Sequence, residues 1–282
     1  MKKSKNSQNK RLFKKIFFAI LIIIALGIVL GVLVYNSVLV TDWVMDKKEN
    51  EEEMSEINQE VLIEEIADGE NVNPPADKSS DYWYYIKMPL MNVDISKLQK
   101  INSDTIGFLR VEGTNINYPV VQTTNNSYYI NHSFKKQSNR AGWIFMDYRN
   151  NATKLSQNTI IYGHSRLDTT MFGTLKNILK TNWLNNKNNY IVKLGTATES
   201  TMWQVFSVYT IPTENYYIST SFNNNVEYQA WLNTMISRSE YDFNTTVNIK
   251  DKVLTLSTCY GSGKRVVMQA KLIKRATVKN VK

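Results

Sequence analysis

Lys252-Val-Leu-Thr-Leu-Ser-Thr-Cys-Tyr-Gly-Ser-Gly-Lys-Arg-Val-Val-Met-Gln-Ala-Lys271 places the chain's single cysteine, Cys259, where one short apolar run stops and a Gly-rich turn begins. A second apolar run follows at once. Two such runs separated by Tyr260 to Lys264 read as antiparallel strands joined by a tight loop, so that Cys259 and Arg265 face each other across it. Alternate residues of a strand point to opposite faces. Leu254 and Leu256 therefore share one phase, and Val253, Thr255, Ser257 and Cys259 the other. In the second strand Val266, Met268, Ala270 and Leu272 form a wholly apolar phase, while Arg265, Val267, Gln269 and Lys271 form a mixed one. Cys259 and Arg265 each fall on the more polar phase of their strand.

A lone cysteine is commonly a small buried hydrophobe. One at a strand end, on the polar phase, beside a loop and an arginine sits instead where a thiolate is stabilised and reached by substrate. A nucleophilic thiol needs a base, usually a histidine distant in sequence, and the chain has two. His164 closes the apolar run Asn158-Thr-Ile-Ile-Tyr-Gly-His164 and so lies at a strand mouth, where sites collect on β scaffolds. His132 lies in the polar stretch Asn125 to Phe134 and reads as a solvated or capping histidine. The candidate site is thus Cys259 with His164 and Arg265. Lys264 is the rival for the cationic role, and Asp147 reads as structural or supporting.

At these residues the chain resembles the sortases, cysteine transpeptidases of Gram-positive bacteria, in their class B wording. The likeness is carried by Thr255-Leu-Ser-Thr-Cys259, the arginine opening the next strand and the Tyr-Gly-His strand end. It extends through Ile106-Gly-Phe-Leu, Asn117-Tyr-Pro-Val-Val-Gln122, Ser127-Tyr-Tyr-Ile130, Ile144-Phe-Met-Asp-Tyr-Arg-Asn150 and Met171-Phe-Gly-Thr-Leu175, about residues 93 to 275. The resemblance implies that Cys259 attacks the threonine carbonyl of a C-terminal sorting motif on a secreted protein and holds it as a thioester. An amine of a cell-wall peptidoglycan precursor then resolves the thioester. It implies His164 as proton donor and acceptor and Arg265 as the oxyanion's cation, with neither cofactor nor metal. Tyr260 stands where class B members often carry an acid, so that acid's role does not carry over.

Short strands recur at 106–111, 118–122, 142–148, 159–164, 190–195, 202–211, 253–259 and 266–273. That spacing predicts a mainly β fold, a barrel or sandwich of seven or eight strands; the resemblance narrows it to the sortase barrel with N-terminal helices. Helices are expected at 170–180 and 226–239, the second matching the class B helix before the cysteine strand.

The N-terminus carries the remaining organisation. Residues 1–15 hold seven Lys or Arg and no acid, and residues 16–35 hold no charge at all. A basic flank before an apolar run of this length predicts a cytoplasmic tail at 1–15 and an uncleaved signal anchor at 16–40, with the remainder outside the cell. Residues 46–70 carry net charge −9 and read as a solvated spacer; with Gly69 to Ser80 they make 41–80 spacer and linker, and the catalytic domain is expected at 81–282. Residues 71–282 carry net +12, which favours anionic surroundings such as wall polymers or lipid headgroups, and outside a membrane nucleic acid is not the expected partner. Membrane lipid around 16–40, sorting-motif proteins and an amine acceptor are the expected partners. Gly261-Ser-Gly-Lys264 fails as a phosphate loop because Arg265 follows where Ser or Thr is required. The rival readings are another wall cysteine enzyme, such as an L,D-transpeptidase or a papain-like peptidase, and a non-enzymatic anchored binding module. A papain-like order puts cysteine before histidine, opposite to this chain.

Overall fold

The computed structural model describes residues 2–259 and 263–278, and the chain divides into two compact units, 1–49 and 50–282. The first unit is most of helix α1 (Lys2–Glu60). Its large side chains, among them Phe17, Leu21, Ile24 and Leu33, are exposed on every side. An apolar helix of that kind has no protein core to cover, and it is long enough to cross a membrane.

The second unit continues with strands β1 (Ile63–Ile66) and β2 (Glu70–Asn71), the single turn α2 (Tyr82–Tyr85), β3 (Leu90–Val93) and α3 (Ile95–Ile101). Asp94 caps α3 by accepting from Ser96 N at 3.1 Å. Eight strands follow: β4 (Thr105–Val111), β5 (Asn117–Val121), β6 (Phe145–Met146), β7 (Asn158–Tyr162), β8 (Ile191–Thr196), β9 (Glu199–Pro212), β10 (Val253–Cys259) and β11 (Lys264–Thr277). They neighbour in the order β10-β7-β6-β5-β4-β8-β9-β11, and pairing of β11 with β10 closes the ring. Closure leaves no exposed edge inside the barrel. α4 (Thr181–Leu184) precedes β8, and α5 (Asn225–Ser237) precedes β10.

The two phases read from the sequence meet two different cores. Leu254, Leu256, Val266, Met268, Ala270 and Leu272 point into the barrel. Val253 and Val267 point outward and are covered by Tyr228, Trp231, Leu232 and Met235 of α5. Thr255, Ser257 and Gln269 of that outer phase are buried too, and Thr255 links its neighbours: its Oγ1 donates to Asn158 Oδ1 at 2.7 Å and accepts from Gln269 Nε2 at 3.2 Å. α5 is fixed at its start by reciprocal capping, since Asn224 Oδ1 accepts from Glu227 N and Glu227 Oε2 from Asn223 N, both at 2.9 Å.

Three expectations need correction. The folded unit begins at Asn50, not near Asp81. The supposed spacer buries Ile57 in the barrel core, pairs β1 with β3 and adds β2 to the rim of β11. Lys274 Nζ then ties this region down by donating to the carbonyls of Ala67, Ile86 and Met88 at 2.6, 2.8 and 3.1 Å. Second, the helix at 170–180 is absent as such. Thr169 and Met171 adopt positive φ of 68° and 51°, Met171 N donates to the Tyr118 hydroxyl, and only a 3-10 turn at Leu175–Leu179 follows. Third, the strand at 142–148 shrinks to Phe145–Met146. Gly142 turns at φ +59°, and Asp147 Oδ1 accepts from Arg149 N at 3.0 Å, bending the chain away from its neighbour.

Candidate active site

Strand register decides which residues meet. β10 lies antiparallel to β11 with Cys259 opposite Arg265, and parallel to β7 with Ser257 opposite Tyr162. Two residues further along the parallel pair bring His164 to the level of Cys259. Gly163 N still donates to Ser257 O at 3.4 Å, which keeps the two chains together beyond the end of β7. An added Cβ at Gly163 would lie 2.5 Å from Ile144 Cδ1 and 2.8 Å from Phe172 Cγ, so only glycine lets the chain pass there into the histidine. Tyr260 and the turn through Ser262 lie outside the described residues.

The His164 ring is fixed from one side. Its Nε2 lies 2.7 Å from the carbonyl oxygen of Ile130. A carbonyl only accepts, so Nε2 carries a proton, and Nδ1 is left to gain and lose one. Gly142 supports this contact, because an added Cβ would come within 2.6 Å of Ile130 O and 3.0 Å of His164 Cδ2. His132 occupies a different setting, stacked on Tyr128 with ring centres 4.0 Å apart and with Nδ1 2.7 Å from Tyr128 O.

His164 and Arg265 both line a cleft of about 300 Å³ whose other walls include Tyr162, Tyr217, Ser257 and Thr258. Arg265 is half-buried and donates to its neighbour Lys264 O at 3.2 Å; among the described residues no carboxylate pairs with it. Lys264 is exposed, opposite Pro212 of β9. The wall residue Tyr217, which sequence reasoning missed, comes from the 3-10 turn Tyr216–Ile218 and shares a 2.9 Å hydrogen bond with Ser257 Oγ. That turn is held by Trp231 of α5, whose indole N–H donates to Tyr216 O. Ser257 itself had a signal in the sequence, since it shares the phase of Cys259. Among the described residues no cluster of His, Cys, Asp or Glu could hold a metal ion.

Asp147 lies behind the cleft, fully buried. Its carboxylate takes a two-pronged contact from Arg149 at 2.8 and 2.7 Å, and accepts from Asn126 Nδ2 at 3.0 Å and Tyr162 OH at 2.9 Å. Burial pushes its pKa up, but the hydrogen bonds from Arg149 and Tyr162 outweigh it and hold the carboxyl below the ordinary carboxylate range. Burial, then the Asp147 charge, drives Tyr162 far upward, so this phenol stays protonated and donates. Because Asp147's folded pKa lies below its unfolded one, its stabilisation is present above about pH 4 and is lost as pH falls through the lower folded value. Asp147→Ala is expected to destabilise the domain by about 3 kcal/mol at pH 7, the low end for a broken buried ion pair because Arg149 keeps part of its solvent. The gap from wild type in urea midpoints should be flat from pH 5 to 8; a gap that closed there would show that the carboxylate is not the source.

Comparison with known proteins bears on this arrangement. A family profile described as the sortase domain matches residues 109–273. Sortase B of Staphylococcus aureus is 39% identical over 181 residues, 63% of this chain and 73% of that protein. Sortase B from B. anthracis in complex with AAEK1 superposes with a TM-score of 0.66 at 32% identity, covering 82% of this chain and 99% of that one. A Staphylococcus aureus sortase B–substrate complex gives 0.60 at 38%, covering 64% of this chain and 84% of that one. A papain-like enzyme and a non-enzymatic binding module are thereby set aside. With the profile spanning more than half of the chain and the barrel shared with solved relatives, the chain belongs to the sortase family, class B, and is a cysteine transpeptidase.

Proposed function

We propose that this enzyme cleaves the C-terminal sorting motif of secreted proteins after a threonine and joins the new end to an amine of a peptidoglycan precursor. The observation that supports the reading is the register of three strand ends: Cys259 of β10 pairs with Arg265 of β11, β10 runs parallel to β7 toward His164, and His164 and Arg265 line one cleft. In the first half-reaction the Cys259 thiolate attacks the threonine carbonyl carbon, the peptide C–N bond breaks, and the imidazolium of His164 gives a proton to the leaving amine. In the second, the acceptor amine attacks the thioester carbon, loses a proton to the imidazole, and the C–S bond breaks. A related sortase B has been solved as a substrate complex, which supports this reading. Arg265, with no carboxylate paired to it among the described residues, offers planar donors to the oxyanion of each tetrahedral intermediate.

The membrane arrangement follows from charge. Residues 1–15 stay in the cytoplasm, 16–40 span the bilayer, and the barrel lies outside, because the basic flank resists translocation. Protease added to wall-stripped cells should remove the barrel; a protected barrel would reverse the orientation. The reaction is tested by incubating the protein with a panel of sorting-motif peptides, with and without an amine acceptor, and weighing the products. Cleavage after Thr with a new amide in the presence of amine is the expected result. Cleavage elsewhere, or no amide with any acceptor, would overturn the reading.

A further inference from the structure

The end of α1 is more than an attachment between membrane and barrel. Asn50, Glu53 and Ile57 recur on one face of it and are all buried. Glu53 is 4% exposed, yet it is a carboxylate. Taking that charge out of water costs several kcal/mol unless donors replace the water. One loop supplies two of them: Ser133 Oγ, itself wholly buried, donates to Glu53 Oε1 at 2.7 Å, and Lys135 N lies 3.3 Å from Oε2. Lys135 Nζ also pairs with Glu56, one turn on.

That loop is stiff and short. Ser133 N donates to Gln137 O and Asn139 N to Asn131 O, both at 2.9 Å. Asn102 Nδ2 adds a 2.7 Å bond to Phe134 O. A displacement at Ser133 therefore reaches Ile130, three residues earlier, with little slack between. The Ile130 carbonyl is the group that accepts from His164 Nε2. An error of even 1 Å in a reacting group lowers a rate by about 100-fold.

We propose that Glu53 is a positioning residue for His164: its buried carboxylate anchors the loop whose root carbonyl sets the imidazole, so the membrane-proximal helix is part of what organises the active site. The inference rests on His164 being the proton-transfer group.

Two histidines make the test direct. The full-length protein, labelled with 15N-histidine in detergent micelles, should show a slowly exchanging Nε2–H signal for His164, assigned with a His132→Ala variant. Glu53→Ala and Ser133→Ala should broaden or lose that signal. Both should lower the kcat for cleavage of a sorting-motif peptide about 10- to 100-fold, with KM within about twofold, and move the limb of the pH–rate profile set by His164. Glu53→Gln, which still accepts from Ser133 Oγ, should restore the signal and most of kcat. A folded Glu53→Ala with unchanged signal, kcat and pH profile would overturn the proposal. If that variant did not fold, Ser133→Ala decides, and a wild-type signal and kcat there would overturn it equally. The ring signal does not depend on turnover. Wild-type protein that cleaves no sorting peptide while its His164 signal still responds to Glu53 would defeat the functional reading and leave the positioning intact.

Discussion

Cys259→Ala protein is expected to form no acyl-enzyme with any sorting peptide and to release no product, the largest single effect in the molecule. The thiol is the only one in the chain, and the nearby Ser257 Oγ is engaged with Tyr217 OH. His164→Ala should come close to the same loss, because the leaving amine then departs without a proton. His132→Ala should retain most activity, since its ring is spent on Tyr128. The measurement is mass detection of the thioester after mixing, with folding checked by circular dichroism. A folded His132→Ala protein as dead as His164→Ala would put the wrong histidine at the thiol. Free thiols titrate near pH ~8.5, and a nearby imidazolium lowers that value. The alkylation rate of Cys259 against pH should therefore move toward the free-thiol value in His164→Ala and stay put in His132→Ala.

Arg265→Ala is expected to lose about 100- to 1,000-fold in turnover while the barrel still folds, the usual effect of removing one donor aimed at an oxyanion, or roughly 3 to 4 kcal/mol. Arg265 opens β11 directly opposite Cys259 and lines the cleft. Arg265→Lys should recover only part, because an ammonium keeps the charge and loses the planar fork. Lys264→Ala should change turnover little, since Lys264 is exposed and lies outside the cleft lining; surface changes of this kind stay within about 0.5 kcal/mol. Steady-state kinetics on the three folded variants decide it. A crippled Lys264→Ala beside a mild Arg265→Ala would mean that the oxyanion sits on the other side of the turn.

What the sequence determined by itself was local and periodic. Alternation over 253–259 and 266–273 set two strands and their phases, and the Gly-rich turn between them set the opposition of Cys259 and Arg265, because a short turn leaves one register. The 3.6-residue period of 226–239 located α5 within two residues, and the uncharged run after a basic flank located a helix long enough and apolar enough to cross a membrane. Tertiary structure alone decided the rest. Val253 and Val267, on the mixed phase of β10 and β11, are buried under α5, a fact that strand period cannot carry because it separates faces without saying what covers them. Glu53 and Asn50 occupy a buried helix face, yet they read as solvent-loving; Ser133, which donates to Glu53, lies 80 residues away in a loop that no local pattern links to it. Tyr217 reaches the cleft only because Trp231 holds its turn. The His164 ring is held by a carbonyl 34 residues earlier in the chain, a contact that depends on the parallel pairing of β7 with β10 and on the closure of the barrel, which are long-range choices made by packing and not by sequence period.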